Sequence, residues 1–313
     1  MRFFKNPTYS FMEARKFAYA FSGTLILISI ISLILHGGPH YGVDFRGGTF
    51  LELRFEDKAE PQKPLDIPIK EVRQVFSEYG QGQAEIKHYG SSQEIAVRVD
   101  LTEKTGQFEG EVLKGLSQKF PDYNVIEMRK ETVGPKVGKE LVGAAIKAIL
   151  VAMVLILIYV MFRFELRFGV GAVLALAHDV IITMGVFSLL NLEISIAIVA
   201  AVLTIIGYSL NDTIVVYDRI RENLKNFKRQ TLTYPKIINR SINETLSRTI
   251  ITSGTTMIVV VVLYFFGGEV IKNFAFALIV GISIGTYSSI FIASPVLVEW
   301  ERRKELSAVI KKK

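Results

Sequence analysis

The sequence predicts a polytopic α-helical membrane protein with six transmembrane helices and one α+β extracytoplasmic domain between the first and second of them. Half of the 313 residues are hydrophobic, and most of these are gathered into long apolar runs. A helix needs about 20 apolar residues to cross about 30 Å of hydrocarbon. Six runs meet that length, and we place them at residues 17–36, 141–162, 168–190, 194–217, 246–266 and 274–298.

Residues 37–140 form the polar segment between the first two runs, and they are numerous enough for one small folded domain. Alternation of apolar and polar residues, or short apolar runs beside turn signals, predicts four strands, at 47–55, 84–88, 94–99 and 123–133. Apolar residues three or four positions apart predict two helices, at 67–79 and 103–120. The order βαββαβ is that of the ferredoxin-like arrangement.

The first run, 17–36, is interpreted as a retained anchor and not as a cleaved signal peptide. Its apolar core is long, and residues 36–40 contain no small-x-small cleavage site. The chain has no cysteine, so it has neither disulfides nor a thiolate metal site. Packing alone therefore has to hold the polar domain together.

The distribution of charge predicts the topology. Nineteen Lys and Arg face eight Asp and Glu in the tail 1–16, the turn 163–167, the connection 218–245 and the tail 299–313. The positive-inside rule places these segments, and with them both termini, in the cytoplasm. The domain 37–140, with 15 basic against 18 acidic residues, is then on the outer side. Topology and anionic membrane lipids explain the net charge of +7, and no nucleic-acid partner is expected.

Asp212 is the most informative residue, because it lies inside the fourth apolar run. An ionisable side chain at membrane depth costs roughly 2.5–3.5 kcal/mol, so its presence indicates a function. Arg248, just inside the fifth run, is expected at a similar depth on the adjacent helix. The acid is either a proton-binding carboxyl whose state switches, or part of a structural salt bridge that holds helices together. Polar residues at helical spacing accompany both groups: Thr204, Tyr208 and Asn211 on the fourth run, and Thr252, Thr255 and Thr256 on the fifth.

His178 and Asp179 lie inside the third run, and the sequence leaves two interpretations open. The pair is either a proton relay or a polar contact between helices. In the sixth run, Gly281 and Gly285 form a GxxxG pattern that permits close helix approach. Pro295 is expected to kink that helix near its end.

A glycine-rich segment, Gly42-Val43-Asp44-Phe45-Arg46-Gly47-Gly48, follows the first run. It predicts a turn that leads into the first strand, with the Asp44 side chain capping the turn. The segment lacks the Lys-Ser/Thr pair and the following helix of a phosphate loop, so nucleotide binding is not expected.

No enzymatic motif is present, since the chain contains no HExxH, GxSxG or Walker sequence. An intramembrane aspartyl dyad of Asp179 and Asp212 is rejected because the two acids are predicted at different depths. The residue before Asp212 is moreover Asn211, where such a motif needs glycine. We therefore expect a protein that is not an enzyme, without a metal or cofactor.

Four segments together resemble the SecF subunits of the SecD/SecF family of bacterial protein translocases, within the resistance–nodulation–division superfamily. They are residues 42–48, His178-Asp179-Val180, GYSLNDTIVVYDRIREN at 207–223, and Leu246-Ser247-Arg248-Thr249. The fourth-run motif is long and specific, and the resemblance extends over essentially the whole chain.

The resemblance implies a multi-pass protein of the cytoplasmic (inner) membrane that works with SecD and the SecYEG channel on a translocating preprotein. The family uses the proton-motive force to promote late, ATP-independent translocation, and no cofactor is implied. The fourth-span aspartate and fifth-span arginine of the family, which contribute to proton conduction, match Asp212 and Arg248. The resemblance does not assign a role to Asp179. Because the SecD half is absent from the chain, a pathway between the halves is expected to be incomplete.

Two other functions remain open at the level of the sequence. One is a small-molecule or lipid exporter of the same superfamily, which six spans and a small outer domain disfavour. The other is a non-transporting assembly scaffold in which the buried charges are structural. The coupling ion is also open, because a carboxyl with hydroxyl and amide neighbours suits Na⁺ as well as H⁺.

Overall fold

Two compact units make up the chain. The computed structural model describes residues 7–61, 63–99, 105–227 and 232–310. One unit comprises Met1–His40 with Lys147–Lys313, and the other comprises Tyr41–Ile146. We call the first the helical unit and the second the sheet unit.

The described elements include ten α-helices and four strands. The helices are α1 (Arg15–Leu35), α2 (Val43–Arg46), α3 (Ile69–Glu78), α4 (Thr105–Lys119), α5 (Pro135–Arg163), α6 (Leu166–Leu189), α7 (Ile196–Asn226), α8 (Tyr234–Phe266), α9 (Glu269–Ser288) and α10 (Ser294–Ile310). The strands are β1 (Gly48–Asp57), β2 (Glu85–Tyr89), β3 (Ser91–Val99) and β4 (Tyr123–Val133).

Six helical segments among the described residues are long and apolar enough to cross a membrane, as the sequence predicts. They are α1, α5, α6, α7, α8 and the continuous segment Glu269–Ser307. A π-helical turn, Ser289–Ala293, joins α9 to α10 directly before Pro295, where the sequence predicts a kink. Such single π turns are a recognised way of locally rearranging a helix.

The prediction of a loop at 218–245 is wrong for most of these residues, because they are helical. Helix α7 continues to Asn226, and α8 begins at Tyr234. The end of an apolar run shows where a helix leaves hydrocarbon and does not show where the helix ends. Beyond that depth, polar contacts replace lipid. Arg219 forms an ion pair with Glu244 at 2.6 Å, and the Asn223 amide donates to Ser241 at 3.0 Å.

The sheet unit confirms the predicted ferredoxin-like arrangement. Its strand order is β2-β3-β1-β4, and every neighbouring pair is antiparallel. Helices α3 and α4 therefore each connect two strands that have a third strand between them, which is the split βαβ pattern. The apolar face of β1, including Leu51, Leu53 and Phe55, is buried against Phe76 of α3 and Leu116 of α4. Only Gly90, at φ +78°, separates β2 from β3, so the hairpin is tighter than predicted.

The glycine-rich segment contains a short helix, α2, with Asp44 in its first turn and Phe45 buried. Gly42 is its N-cap residue, and glycine has no side chain that could form a cap hydrogen bond. Gly47 and Gly48 adopt φ values of +81° and +131°, which other residues rarely adopt. A Cβ atom on Gly48 would also lie 2.7 Å from the Val99 carbonyl oxygen of β3. The double glycine therefore lets the chain enter β1 directly beside its neighbouring strand.

Small residues set the closest helix contacts of the helical unit. On α1, the buried polar residues are Ser22, Ser29 and Ser32, and a Cβ atom on Gly185 of α6 would overlap Ser29. The predicted close approach at the GxxxG pattern is confirmed. A Cβ atom on Gly281 would lie 2.3 Å from the Ile205 side chain of α7. Small residues are the usual means by which membrane helices pack closely.

We predict that Gly281→Ala lowers the free energy of unfolding by about 1–3 kcal/mol, because the new methyl group overpacks the α7–α9 contact. The matched control is Gly254→Ala on α8, where a Cβ atom would meet nothing within 4 Å. Thermal unfolding of the purified chain in detergent compares the two variants. Equal midpoints would show that close α7–α9 packing does not contribute to stability.

Candidate functional site

Both acids singled out from the sequence are buried in the helical unit. Asp179 of α6 is 0% exposed and Asp212 of α7 is 2% exposed. A buried carboxyl group is costly unless it is hydrogen-bonded. The hydrogen-bond partners of the two acids therefore define the site.

Asp212 is held from α8. The Ser253 hydroxyl donates to Asp212 Oδ2 at 3.0 Å, and the Thr286 hydroxyl of α9 donates to Ser253 Oγ at 2.8 Å. The Thr252 side chain also interacts with the Asp212 carboxyl group. The Thr252 hydroxyl lies 3.0 Å from the Arg248 carbonyl oxygen, to which it donates. The carboxyl thus lies at the meeting point of three helices. Neither Ser253 nor Thr286 was singled out from the sequence.

Arg248 is exposed, and a direct ion pair with Asp212 within 4.0 Å is absent between these two described residues. The pairing considered from the sequence is therefore not formed, although the two groups interact electrostatically. The reason is helix rotation. Positions 248 and 253 differ by five residues, or about 500° at about 100° per residue, so they face directions about 140° apart. Ser253, and not Arg248, points at the acid.

Contacts between α7 and α8 nevertheless place Arg248 close in depth to Asp212. The antiparallel helices pair Tyr208 with Thr256 at 3.3 Å and Arg219 with Glu244 at 2.6 Å, with Asp212 and Ser253 between them. In this register Arg248 lies opposite position 216. Four residues of helix rise separate position 216 from Asp212, which is about 6 Å. One change of arginine rotamer spans such a distance.

A polar face of α7 and α8 is exposed in this chain. It consists of Thr204, Asn211, Arg248 and Thr255, which belong to the polar rows noted in the sequence. A guanidinium and an amide facing hydrocarbon are unfavourable, so such groups in membrane proteins face protein or water. We call these four residues the exposed polar face.

Asp179 has a more complete set of partners than Asp212. Its Oδ2 atom accepts hydrogen bonds from Ser209 of α7 at 2.6 Å and from Ser288 of α9 at 2.8 Å. Its Oδ1 atom lies 2.9 Å from His178 Nδ1. A Cβ atom on Gly285 would lie 3.5 Å from Asp179 Oδ2 and 2.9 Å from Ser209 Cβ. Glycine at this position lets α9 approach the acid.

His178 extends this contact to α1. Its Nε2 atom lies 3.1 Å from Ser22 Oγ, which lies 3.1 Å from the Tyr287 hydroxyl. That hydroxyl donates to the Ala18 carbonyl oxygen at 3.0 Å. The Tyr287 ring stacks on the imidazole, with centroids 6.1 Å apart. His178 and Asp179 therefore make a polar contact that joins α1, α6, α7 and α9.

The two predicted groups of residues belong to different units. Gly42, Asp44, Phe45, Gly47 and Gly48 all belong to the sheet unit, whereas the two acids belong to the helical unit. Ser22 and Tyr287 were missed because hydroxyl residues are frequent in five of the six predicted spans. One available signal was the repetition of Ser22, Ser29 and Ser32 along one face of α1.

We predict that Asp179→Ala destabilises the chain more than Asp212→Ala. Asp179→Ala leaves several buried donors without an acceptor, which costs about 1–3 kcal/mol for each donor. Asp212→Ala removes the acceptor of the Ser253 hydroxyl, which lies at the edge of the exposed polar face. Unfolding midpoints of both variants in the same detergent make the comparison. Equal losses would contradict the distinct roles that the contacts give these two acids.

Two family models match the chain. Residues 112–303 match the model "Protein export membrane protein SecD/SecF, C-terminal". Residues 32–59 match the model "SecD/SecF GG Motif", and this range includes the glycine-rich segment.

Several curated relatives are similar over nearly their whole length, and each is described as a protein translocase subunit SecF. The protein from Rhodothermus marinus is 46% identical, with 97% of this chain and 96% of the relative covered. The protein from Desulfurispirillum indicum is 48% identical, with 97% and 94% covered. That from Vibrio alginolyticus is 44% identical, with 95% and 91% covered.

Two solved structures are also similar. One is SecDF from Thermus thermophilus, described as a translocon-associated membrane protein, with 39% identity and a TM-score of 0.81 over 95% of this chain. The other is SecDF in a super-membrane-facing form, with 38% identity and a TM-score of 0.70 over 99% of this chain. This chain spans only 39% and 41% of those longer chains. By its family models, its relatives and its fold, the chain belongs to the SecD/SecF family of protein export membrane proteins.

Proposed function

We propose that the chain is an accessory subunit of the Sec protein-export machinery that works with SecD. In this proposal it uses the proton-motive force to promote late translocation of preproteins across the cytoplasmic membrane. Both termini are in the cytoplasm and the sheet unit is on the outer side. The chain performs no enzymatic step and needs no cofactor, because the ion gradient supplies the free energy.

The observation that carries this proposal is the setting of Asp212. The carboxyl is buried within a membrane-spanning helix, yet it adjoins the exposed polar face that includes Asn211 and Arg248. Its hydrogen-bond donor, Ser253, is a hydroxyl and not a fixed cation. A group in this setting can gain or lose a proton without leaving a buried charge partner behind.

The proposed coupling starts at the link from Asp212 through Ser253 to Thr286. An ionised carboxylate accepts the Ser253 proton, whereas a protonated carboxyl carries a proton of its own to donate. Gaining a proton therefore changes the hydrogen bonds that connect α7, α8 and α9. One charge that crosses 100 mV contributes about 2.3 kcal/mol, which shifts a two-state equilibrium roughly 50-fold. Helix α5 begins in the sheet unit and continues into the helical unit, and α1 precedes the sheet unit along the chain. In this proposal the two helices transmit the movement to a bound preprotein.

The exposed polar face supports SecD as the partner. Thr204, Asn211, Arg248 and Thr255 are unfavourable towards lipid, and a second bundle would enclose them. The longer SecDF chains, of which this chain spans about two fifths, contain additional protein that could supply such a bundle. A pathway for protons would then run between the two bundles, with Arg248 on its wall. Contacts with SecYEG and with membrane lipids belong to the same proposal.

The deciding variant is Asp212→Asn, which preserves shape but cannot ionise. We expect the variant to co-purify with SecD, while stimulation of preprotein translocation by an imposed proton gradient falls to the level without a gradient. Proteoliposomes that contain SecYEG and the SecD partner provide the measurement. The matched control is Asp218→Asn on the same helix, since Asp218 forms a half-exposed ion pair with Arg163 at 3.2 Å.

The other outcomes distinguish the alternatives. Loss of co-purification in Asp212→Asn would favour an assembly scaffold. Stimulation by a sodium gradient, with none from a proton gradient, would identify Na⁺ as the coupling ion. Undiminished proton flux and translocation in Asp212→Asn would overturn the proposal.

A further inference from the structure

The hydrogen bonds around His178 determine where protons must be. Four polar groups form one chain of contacts, from the Ala18 carbonyl through the Tyr287 hydroxyl and the Ser22 hydroxyl to the imidazole of His178. Each hydroxyl has a single proton to donate. The directions of these hydrogen bonds can therefore be assigned in order from the carbonyl, which only accepts.

The assignment requires a proton on His178 Nε2. Because Tyr287 donates its one proton to the Ala18 carbonyl at 3.0 Å, Ser22 has to donate in the 3.1 Å contact with Tyr287. Ser22 has then no proton left for His178, so Nε2 has to donate in the 3.1 Å contact with Ser22 Oγ. The alternative leaves two oxygen lone pairs facing each other in the buried interior.

The opposite edge of the imidazole needs a proton as well. His178 Nδ1 and Asp179 Oδ1 lie 2.9 Å apart, which is a hydrogen-bond distance. Because Nε2 is already protonated, a proton on Nδ1 makes the ring an imidazolium beside a carboxylate. The same proton on Oδ1 makes a neutral imidazole beside a carboxylic acid. Either form carries one proton more than a neutral histidine beside an ionised aspartate.

The groups around His178 and Asp179 favour a net charge of zero on this pair. Ser209 from α7 and Ser288 from α9 face Asp179 with uncharged hydroxyls, and α1 faces the pair with Ser22. The titratable groups nearby are Tyr287, in contact with the ring, and Asp212, one turn beyond Ser209 and bonded to Ser253. Among the described residues, His178 is the one ion-pair partner of Asp179. A net negative pair would thus be uncompensated, which a buried site disfavours.

We propose that His178 and Asp179 form a second proton-holding site, separate from Asp212, whose bound proton keeps α1 attached to the core of the helical unit. If the shared proton leaves, the Nδ1 lone pair faces a carboxylate, and the contact through Ser22 has to break or rearrange. Attachment of the first span is thereby coupled to proton binding. The assignment of protons is independent of the proposed function, whereas its use in transport depends on it.

Nitrogen-15 NMR of histidine-labelled chain in lipid, with SecD present, tests the protonation directly. The chain has four histidines, and the His178→Gln spectrum identifies the signals of His178. We expect His178 Nε2 to carry a proton at about pH 8 and a second proton to lie on Nδ1 or on Asp179 Oδ1, whereas a neutral histidine beside an ionised aspartate has only one proton in total. An unprotonated Nε2 in the unmodified chain would overturn the proposal.

Tyr287→Phe is the sharpest variant, because it keeps the ring that stacks on His178 and on Phe291. It removes the hydroxyl that consumes the Ser22 proton, so Ser22 becomes free to donate to Nε2. We expect the variant to lose the Nε2 proton at about pH 8 and to carry its single ring proton on Nδ1. The matched control, Tyr159→Phe, lies on α5 with Tyr159 52% exposed, and it should leave the His178 signals unchanged.

The outcomes separate this proposal from the proposed function. An unchanged Nε2 signal in Tyr287→Phe contradicts the proton assignment, whatever translocation assays show. The expected NMR result combined with full activity of Asp212→Asn would retain the proton-holding pair and reject the proton-driven function. If Tyr287→Phe does not fold, the spectrum of the unmodified chain still decides the question.

Discussion

A carboxyl group inside a membrane-spanning bundle must be hydrogen-bonded by its neighbours, and this requirement organises the helical unit. Helix α9 meets much of it, because Ser288 donates to Asp179 and Thr286 donates to Ser253, the hydrogen-bond partner of Asp212. The same helix has to come close enough for its hydroxyls to reach. Gly281 and Gly285 remove the side chains that would prevent this. Close packing and polar satisfaction are therefore two consequences of one sequence pattern.

The two acids differ in how completely this requirement is met. Asp179 is enclosed by partners from three helices, and His178 continues its network to α1. Asp212 depends chiefly on Ser253 and adjoins the exposed polar face. Enclosure favours a stable attachment, whereas a position at an interface favours exchange with water or with another subunit. Under the two proposals, this contrast separates a proton held for structure from a proton exchanged for work, within one helical bundle.

Much of the fold follows from patterns in the sequence, because hydropathy and period report burial directly. Six spans, the βαββαβ order and the importance of the GxxxG glycines were predicted, as was the burial of both acids. The partners of those acids were not predicted, since helix rotation decides which of many hydroxyls faces a carboxyl. Arg248 illustrates this point, because a rotation of about 140° relative to Ser253 turns it away from Asp212. The extension of α7 beyond its apolar run escaped prediction because hydropathy measures lipid contact and not helix length.

The central claim is that Asp212 gains and loses a proton while the assembled complex works. Infrared difference spectroscopy of the complex in lipid measures this most directly, with Asp212→Asn to assign the carboxyl band. We predict a protonated-carboxyl band of Asp212 that rises and falls as an imposed proton gradient is switched on and off. A carboxyl that remains in one protonation state at every pH and under every gradient would contradict the account.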